Sequence, residues 1–507
     1  MEPRKPSLLL VCAISSIIVA LIMFGVLFWK VDIHGPIVIA TCIVCFCGVA
    51  FLKIGYRTLE ESMINSVLVA MQSIFIMWTV GVVIGTWITS GIVPSMIYYG
   101  LEILSPSIFL LASFIICSIV SLATGTSWGT VGTIGLSLLG ISLGLGIPAP
   151  IVAGAIISGA FFGDKMSPLS DTTILAPAVA GTDLFLHIKA MIWTTGPTFV
   201  IVSVILLFMG FQFSGGNLES AKIDAMLAIM RNEFWISPIA FIAPLVVIGL
   251  SASKKPALPS IWAGILIAMA FIAVQGHGPV DMFNALQNGY TSTLAKTLST
   301  AVEDISIITK FIADNELSVA PEVVIQAAKD ITRLVNRGGL QSMNWTVSLM
   351  VLALAFGGAM ECCGFFNVIL ETIMKGVKTV PGLIFATGVS SLLSNCFLGD
   401  AYLSIAVPGR IYKPAFDKMG LHPRMLSRTL EDWGTLTAGL VPWCTGGVFC
   451  AGTLGVATLT YLPYAFLLWM NPIVAVVITY LGIGIYWKDI NGEPVLGKKR
   501  PLIEKPE

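Results

Sequence analysis

Charged side chains are scarce in this chain: only 11% of its 507 residues are Asp, Glu, Lys or Arg, against about a quarter in a soluble domain. That deficit excludes an ordinary globular enzyme. Neither sign is in excess, with 28 basic and 28 acidic residues and a formal net charge of zero. The balance excludes a basic nucleic-acid binder and an acidic disordered chain. A disulfide framework is missing as well. The ten cysteines, among them Cys12, Cys42, Cys45, Cys47, Cys362 and Cys363, all fall in apolar stretches. Cys42-x-x-Cys45 has no second pair or nearby His to complete a zinc site. There is no GxxxxGK[ST] phosphate loop, and no train of short segments of alternating polarity such as a membrane barrel needs. Apolar residues are what the chain has in plenty: 56% are hydrophobic, with a mean hydropathy of +0.91. The class that fits is an all-α, polytopic membrane helical bundle.

Apolar runs fall at 8–29, 36–52, 67–89, 108–123, 131–146, 148–163, 190–213, 236–250, 261–275, 345–360, 383–398, 435–459 and 463–487. Crossing a bilayer takes about 20 residues, and several runs are short or interrupted, so about 12 spans are expected. The first run follows Arg4 and Lys5, is longer than the core of a signal peptide and lacks a small-residue cleavage site; it reads as a retained helix. Lys53 and Arg57 follow the second run, the stretch 90–105 carries no Lys or Arg, and Lys498, Lys499, Arg500 and Lys505 crowd the C-terminus. By the positive-inside tendency both termini are expected in the cytoplasm. On the same grounds Arg410, Lys413, Lys418, Arg424 and Arg428 read as a cytoplasmic loop. The histidines, His34, His187, His277 and His422, fall at expected span ends, with His187 a candidate for pH sensing.

One stretch, 281–341, is not membrane-like. Within it Val323, Val324, Ala327, Ala328, Ile331, Leu334 and Val335 recur at helical spacing opposite Glu322, Lys329, Asp330 and Arg333. This is an amphipathic helix for the protein or membrane surface, and it separates two halves that look related. Gly85 to Gly91 has a counterpart in Gly358 to Gly364, the segment 106–130 runs parallel to 381–403, and interruptions at Asp164 and Asp432 keep a similar offset. Chance likeness among Gly- and Ser-rich helices is the alternative, but three features recurring in one order favour duplication. An inverted topology is the expected form. The organisation that follows is N-terminal helices in 1–60, a first repeat in 61–215, connecting helices and the polar segment in 216–344, a second repeat in 345–487 and a cytoplasmic tail in 488–507.

Intramembrane charges are costly and persist where they pair or line a path. The densest cluster runs from Asp164 and Lys165 through Ser167 and Pro168 to Asp171, Thr172 and Thr173. Gly163 and Pro168 break the helix and free backbone carbonyls, while the carboxylates and hydroxyls are hard oxygen donors suited to a small cation. Asp164 and Asp171 are the expected cation ligands; a polar loop at the membrane surface is the bland alternative. Lys165 is placed to compensate one of the two carboxylates. Upstream, Thr124 to Thr130 breaks another run with Thr126, Ser127 and glycines; a broken helix facing the ion and plain close packing both account for it. In the second half Asn395 and Asp400 are expected to face the ion from the opposite side. Glu431 and Asp432 open an apolar segment, where the helix dipole alone favours acids, and Asp432 stays a candidate through its place in the repeat. Glu361 is an isolated intramembrane carboxylate, a proton carrier or the partner of a buried cation.

The run Gly163-Asp-Lys-Met-Ser-Pro-Leu-Ser-Asp-Thr-Thr173 resembles the signature of the NhaC family of sodium/proton antiporters, within the wider ion-transporter superfamily. Thr124–Thr130, Gly357 to Glu361, Asn395 with Gly399-Asp400, and Glu431 to Thr435 look like the same family, in the same order over roughly 85–463. The resemblance implies a bacterial plasma-membrane protein, built of inverted repeats with broken helices, that exchanges sodium for protons. It also admits exchangers coupling both ions to malate and lactate. No cofactor is implied beyond the transported Na+ and H+. The expected partners are small cations and membrane lipids, not nucleic acid, and a homodimer stays open.

Desolvation raises a carboxylate pKa while a bound cation lowers it, so proton and Na+ exclude one another at Asp164 or Asp171. That is a mechanism for exchange without ATP. An organic-anion exchanger would instead need Lys165 or the Thr126–Ser127 amides as an anion site. An intramembrane aspartyl enzyme is the reading from another class; polar breaks in both halves fit transport better.

Overall fold

The computed structural model describes residues 5–213, 217–301, 305–489 and 491–499. Arg4, Arg500 and Lys505, used above for orientation, lie outside the described residues. The described chain is helical apart from one hairpin, Tyr486–Lys488 paired antiparallel with Pro494–Leu496. Among the described residues eight helices are long and apolar enough to cross a bilayer, or ten if each of two bent pairs counts as one span. Large apolar side chains such as Leu9, Phe208, Leu245 and Leu266 stand exposed around them. In water such a surface would drive aggregation; in lipid it is the expected exterior. The chain is a multi-pass membrane protein.

Several of the expected spans are short or interrupted and fall outside that count. His34–Ala50 and Phe466–Leu481 are apolar but short, and the run at 435–459 is not a straight span. A π-turn at Glu431–Thr435 leads into a short Leu436–Ala438 segment, and a break precedes Thr445–Leu454. The latter then bends by 89° into Thr458–Tyr464. Mean hydropathy registers apolar content, not where the backbone turns.

The amphipathic helix is present as Pro321–Val335, with Val324, Ala327, Ala328, Ile331, Leu334 and Val335 buried. Protein, not lipid, covers that face: it packs on Leu294–Thr300 and Asn217–Glu233, and Asp330 pairs with Lys222 at 2.6 Å. The basic stretch 410–428 is not a loop. It belongs to helices Ala401–Met419 and Pro423–Leu430, with Arg424 and Arg428 buried, and Arg424 stacks over Tyr486. The tail is folded where it begins, since the backbone N–H of Lys488 donates to the Gly420 carbonyl at 2.9 Å and Lys488 pairs with Pro494 in the hairpin.

Backbone breaks recur in register. Four left-handed glycines in the first half, Gly91, Gly125, Gly146 and Gly181, have counterparts at Gly364, Gly399, Gly420 and Gly455. The first pair is 273 residues apart and the other three are 274 apart. The helices between them correspond as well. Met71–Thr89 and Asn344–Cys362 each have 19 residues, and so do Pro106–Thr124 and Val380–Leu398, both opened by a proline in the first turn. Asp171–Ala180 and Thr445–Leu454 each have 10. At Gly125 a side chain is doubly barred, because φ is +71° and an added Cβ would lie 2.6 Å from Leu169. The turn is thereby held against the 167–170 break.

Candidate functional site

Helices Pro106–Thr124 and Ala149–Met166 set the first wall of the site. Gly159 and Gly163 let their backbones touch: a Cβ on Gly163 would lie 2.4 Å from both the Ser118 carbonyl and the Leu122 amide. Small residues four apart serve membrane helices in this way. The Ser121 hydroxyl also donates to the Ala160 carbonyl at 2.6 Å. Beyond this contact both helices break. Gly125 turns the first, and Thr126 caps the next helix by accepting from the Gly129 N–H at 3.2 Å. The second ends at Met166, and the chain crosses 167–170 before a new helix starts at Asp171.

These breaks open on a cavity of about 510 Å³. Thr126, Ser127, Asp164, Ser170, Asp171 and Thr172 line it from the first half, and Tyr402, Thr435, Ala438, Thr445 and Gly446 from the second; Ser251, Lys254 and Lys255 also lie on its wall. Ser127 donates to Asp164 Oδ2 at 2.6 Å, and Tyr402 reaches Asp171 Oδ2 at 3.5 Å. The two lining sets are in register. At the 274-residue spacing Ser127 matches Ala401, Trp128 matches Tyr402, Asp164 matches Ala438, Asp171 matches Thr445, and Thr172 matches Gly446; all ten line the cavity. The packing is reciprocal too. Trp128 stacks on Phe449 with ring centroids 4.4 Å apart, while helix Ala401–Met419 packs on Asp171–Ala180.

The structure sorts the expected site residues. Asp164, Asp171, Thr172, Thr126 and Ser127 come together on the cavity. Ser167 and Thr173 do not line it. Ser167 donates to the Leu122 carbonyl at 2.8 Å, and Thr173 to the freed carbonyls of Asp164 and Lys165 at 3.2 and 3.0 Å. Both hydroxyls staple the break. Asn395 holds the π-turn segment, donating to the Gly434 carbonyl at 2.7 Å and the Thr437 hydroxyl at 2.9 Å. Asp400 caps Ala401–Met419, accepting from the Tyr402 and Leu403 amides at 2.9 and 3.1 Å. Neither lines the cavity, so the second half faces it with Tyr402, Thr435 and Thr445 instead. Glu361 is half-buried near the end of Asn344–Cys362 and does not line the cavity either.

Asp432 lies off the cavity, and its place in the repeat is not the one expected. In the register of the glycines its counterpart is Ser158, while that of Asp164 is Ala438. Asp432 is the ion-pair partner of Lys165, with both side chains fully buried. It also accepts from Thr194 at 2.9 Å and Asn471 at 2.8 Å, and Arg428 Nε lies 3.9 Å away. Lys165 therefore compensates neither Asp164 nor Asp171. His187, expected at an interface, is buried, with Nδ1 2.9 Å from the Ser427 hydroxyl.

Sequence reasoning set Glu431 aside as a helix-end acid. It is fully buried and accepts from Thr172 at 3.0 Å and Thr435 at 2.8 Å, both on the cavity wall. Tyr402, Thr435 and Thr445 were also missed; carrying the first-half break residues forward by the glycine spacing would have found Tyr402 and Thr445. Chemically the cavity offers two carboxylates amid hydroxyls, hard donors for a small cation. Among the described residues no three His, Cys, Asp or Glu side chains converge as a metal centre would require.

A model of the Na+/H+ antiporter family matches residues 4–175 and 159–483. A Na(+)/H(+) antiporter NhaC of Alkalihalophilus pseudofirmus is 38% identical over 92% of this chain and 94% of its own. A malate-2H(+)/Na(+)-lactate antiporter of Bacillus subtilis is 35% identical over 97% of this chain and 98% of its own. A Na(+)/H(+) antiporter NhaC of the same species is 34% identical over 89% and 93%. These relatives are antiporters, not enzymes. Motif, cavity and relatives converge, and the chain belongs to the NhaC-type Na+/H+ antiporter family.

Proposed function

We propose that this protein exchanges Na+ for H+ across a bacterial plasma membrane, with the two cations competing for Asp164 and Asp171. The observation that carries this reading is the pair of carboxylates on one cavity beside a helix break, with Lys165 already committed to Asp432. A carboxylate without a permanent counter-ion in a poorly solvated site is stabilised by either a proton or a cation, not both. The Ser127 hydroxyl, donating to Asp164, is an oxygen ligand that coordinates Na+ as its water is shed. Access alternates as the two matched halves rock about the cavity; their register and reciprocal packing support an inverted pair of transport repeats, 61–215 and 345–487, with both termini in the cytoplasm. An inward proton gradient then drives Na+ outward without ATP.

Purified protein in liposomes loaded with a pH dye tests this. External Na+ alone is expected to alkalinise the interior, and Asp164→Asn or Asp171→Asn to abolish the response while the protein still inserts. Retained exchange in both variants would sink the assignment.

A second reading, coupled malate/lactate exchange, is favoured by one feature. The cavity of about 510 Å³ falls in the size range of small-molecule sites, and Lys254 and Lys255 lie on its wall. In the same liposomes this reading predicts no response to Na+ until malate or lactate is supplied across the membrane.

A further inference from the structure

Every other fully buried carboxylate described above has its charge answered. Asp432 has Lys165 and Arg428 beside it, and Asp400 accepts two helix amides. Glu431 differs. It is fully buried, forms no ion pair among the described residues, and its Oε2 has no hydrogen-bond partner. Its other oxygen takes both hydroxyls, Thr172 at 3.0 Å from the first half and Thr435 at 2.8 Å from the second. Both threonines line the cavity, and so does Ser170, whose hydroxyl lies 3.2 Å from that of Thr172.

A buried carboxylate without a counter-ion is unfavourable as the anion and is neutralised by either a proton or a cation. The groups on its other oxygen are hydroxyls, acceptors as well as donors. When a cation enters, they rotate their hydrogens away and present lone pairs, and Ser170 offers Thr172 an alternative acceptor. A small hard cation is the ligand such a set of oxygens selects. Lys165 bonds to Asp432 and Arg428 to the Gly484 carbonyl, so neither forms an ion pair with Glu431.

We propose that Glu431, with the hydroxyls of Thr172 and Thr435, forms a second binding site for the transported Na+, one side-chain layer behind the cavity wall. The site loads from the cavity past the two threonines. It is built from both halves, so it is complete only when they are closed on one another. The inference rests on the reading that Na+ is the cargo and adds a second ion to each loaded chain.

The test is equilibrium binding of 22Na+ to the full-length protein in detergent at alkaline pH. The wild type is expected to bind two Na+ per chain, Glu431→Gln one, and Asp164→Asn one. Thr435→Val keeps the carboxylate and loses one hydroxyl; it is expected to weaken one of the two sites about tenfold and leave the other unchanged. It also serves if Glu431→Gln fails to fold. A wild type that binds a single Na+, or a Glu431→Gln or Thr435→Val protein that binds like the wild type, overturns the second site and leaves Asp164 untouched. Wild-type binding in Asp164→Asn overturns the cargo assignment itself.

Discussion

Lys165 shows how one buried charge organises its surroundings. A lysine in the helix that ends at Met166 has no water to solvate it, so it reaches across the halves to Asp432, where Thr194 and Asn471 occupy the same oxygen. Removing one partner of a buried pair strands the other and costs about 3–5 kcal/mol, whereas replacing both with apolar groups is often neutral. Asp432→Asn is therefore expected to lower the thermal unfolding midpoint in detergent sharply, and Lys165→Met with Asp432→Asn to recover part of it, Arg428 still lacking its carboxylate. Equal midpoints for the single and double variants would contradict the pair. The carboxylates of the cavity, Asp164 and Asp171, were legible in the sequence because they stand next to Gly163 and Pro168, which break the helix at that point. The partner of Lys165 and the contacts of Glu431 were not, because they join residues 267 and 259 positions apart. Local spacing carries no information about such pairs, and the apparent repeat offset pointed Asp432 to the wrong counterpart.

Between the helices, approach distance decides what each position tolerates. Gly163 sits against the backbone of Pro106–Thr124, so any side chain must push two helices apart. Gly163→Val is expected to cut the yield of monodisperse protein several-fold by fluorescence-detected gel filtration. Gly278→Ala is the control, since an added Cβ there meets nothing within 4 Å, and it is expected to behave like the wild type. The same elements show what periodicity can and cannot reveal. The helix Pro321–Val335 was readable residue by residue, because one face is apolar and the other charged. The breaks at 124–130 and 163–171 were readable from glycine, proline and hydroxyl content. The bend after Thr435 was not, because the turn lies inside a continuous apolar run whose composition resembles a span.

At the scale of the whole molecule, the register of left-handed glycines is the organising fact; it supports a repeat, and inversion of the halves is the part of the proposal that needs its own test. Ser105 and Thr379 are matched, exposed positions 274 residues apart, each just before a 19-residue helix. In a background without the native cysteines, Ser105→Cys and Thr379→Cys are expected to react with an impermeant thiol reagent from opposite sides of the membrane; labelling from one side would refute inversion. The family was legible from motifs because transport chemistry concentrates at the breaks. The cavity was not, because its wall is assembled from both halves. The central claim, that proton and Na+ exclude one another at the same carboxylates, is tested most directly by the apparent Na+ affinity of exchange in liposomes between pH 6 and 9. Competition predicts that on the acid side each pH unit weakens the affinity about tenfold per shared proton while the maximal rate at saturating Na+ holds. An affinity independent of pH, with only the maximal rate changing, would contradict it.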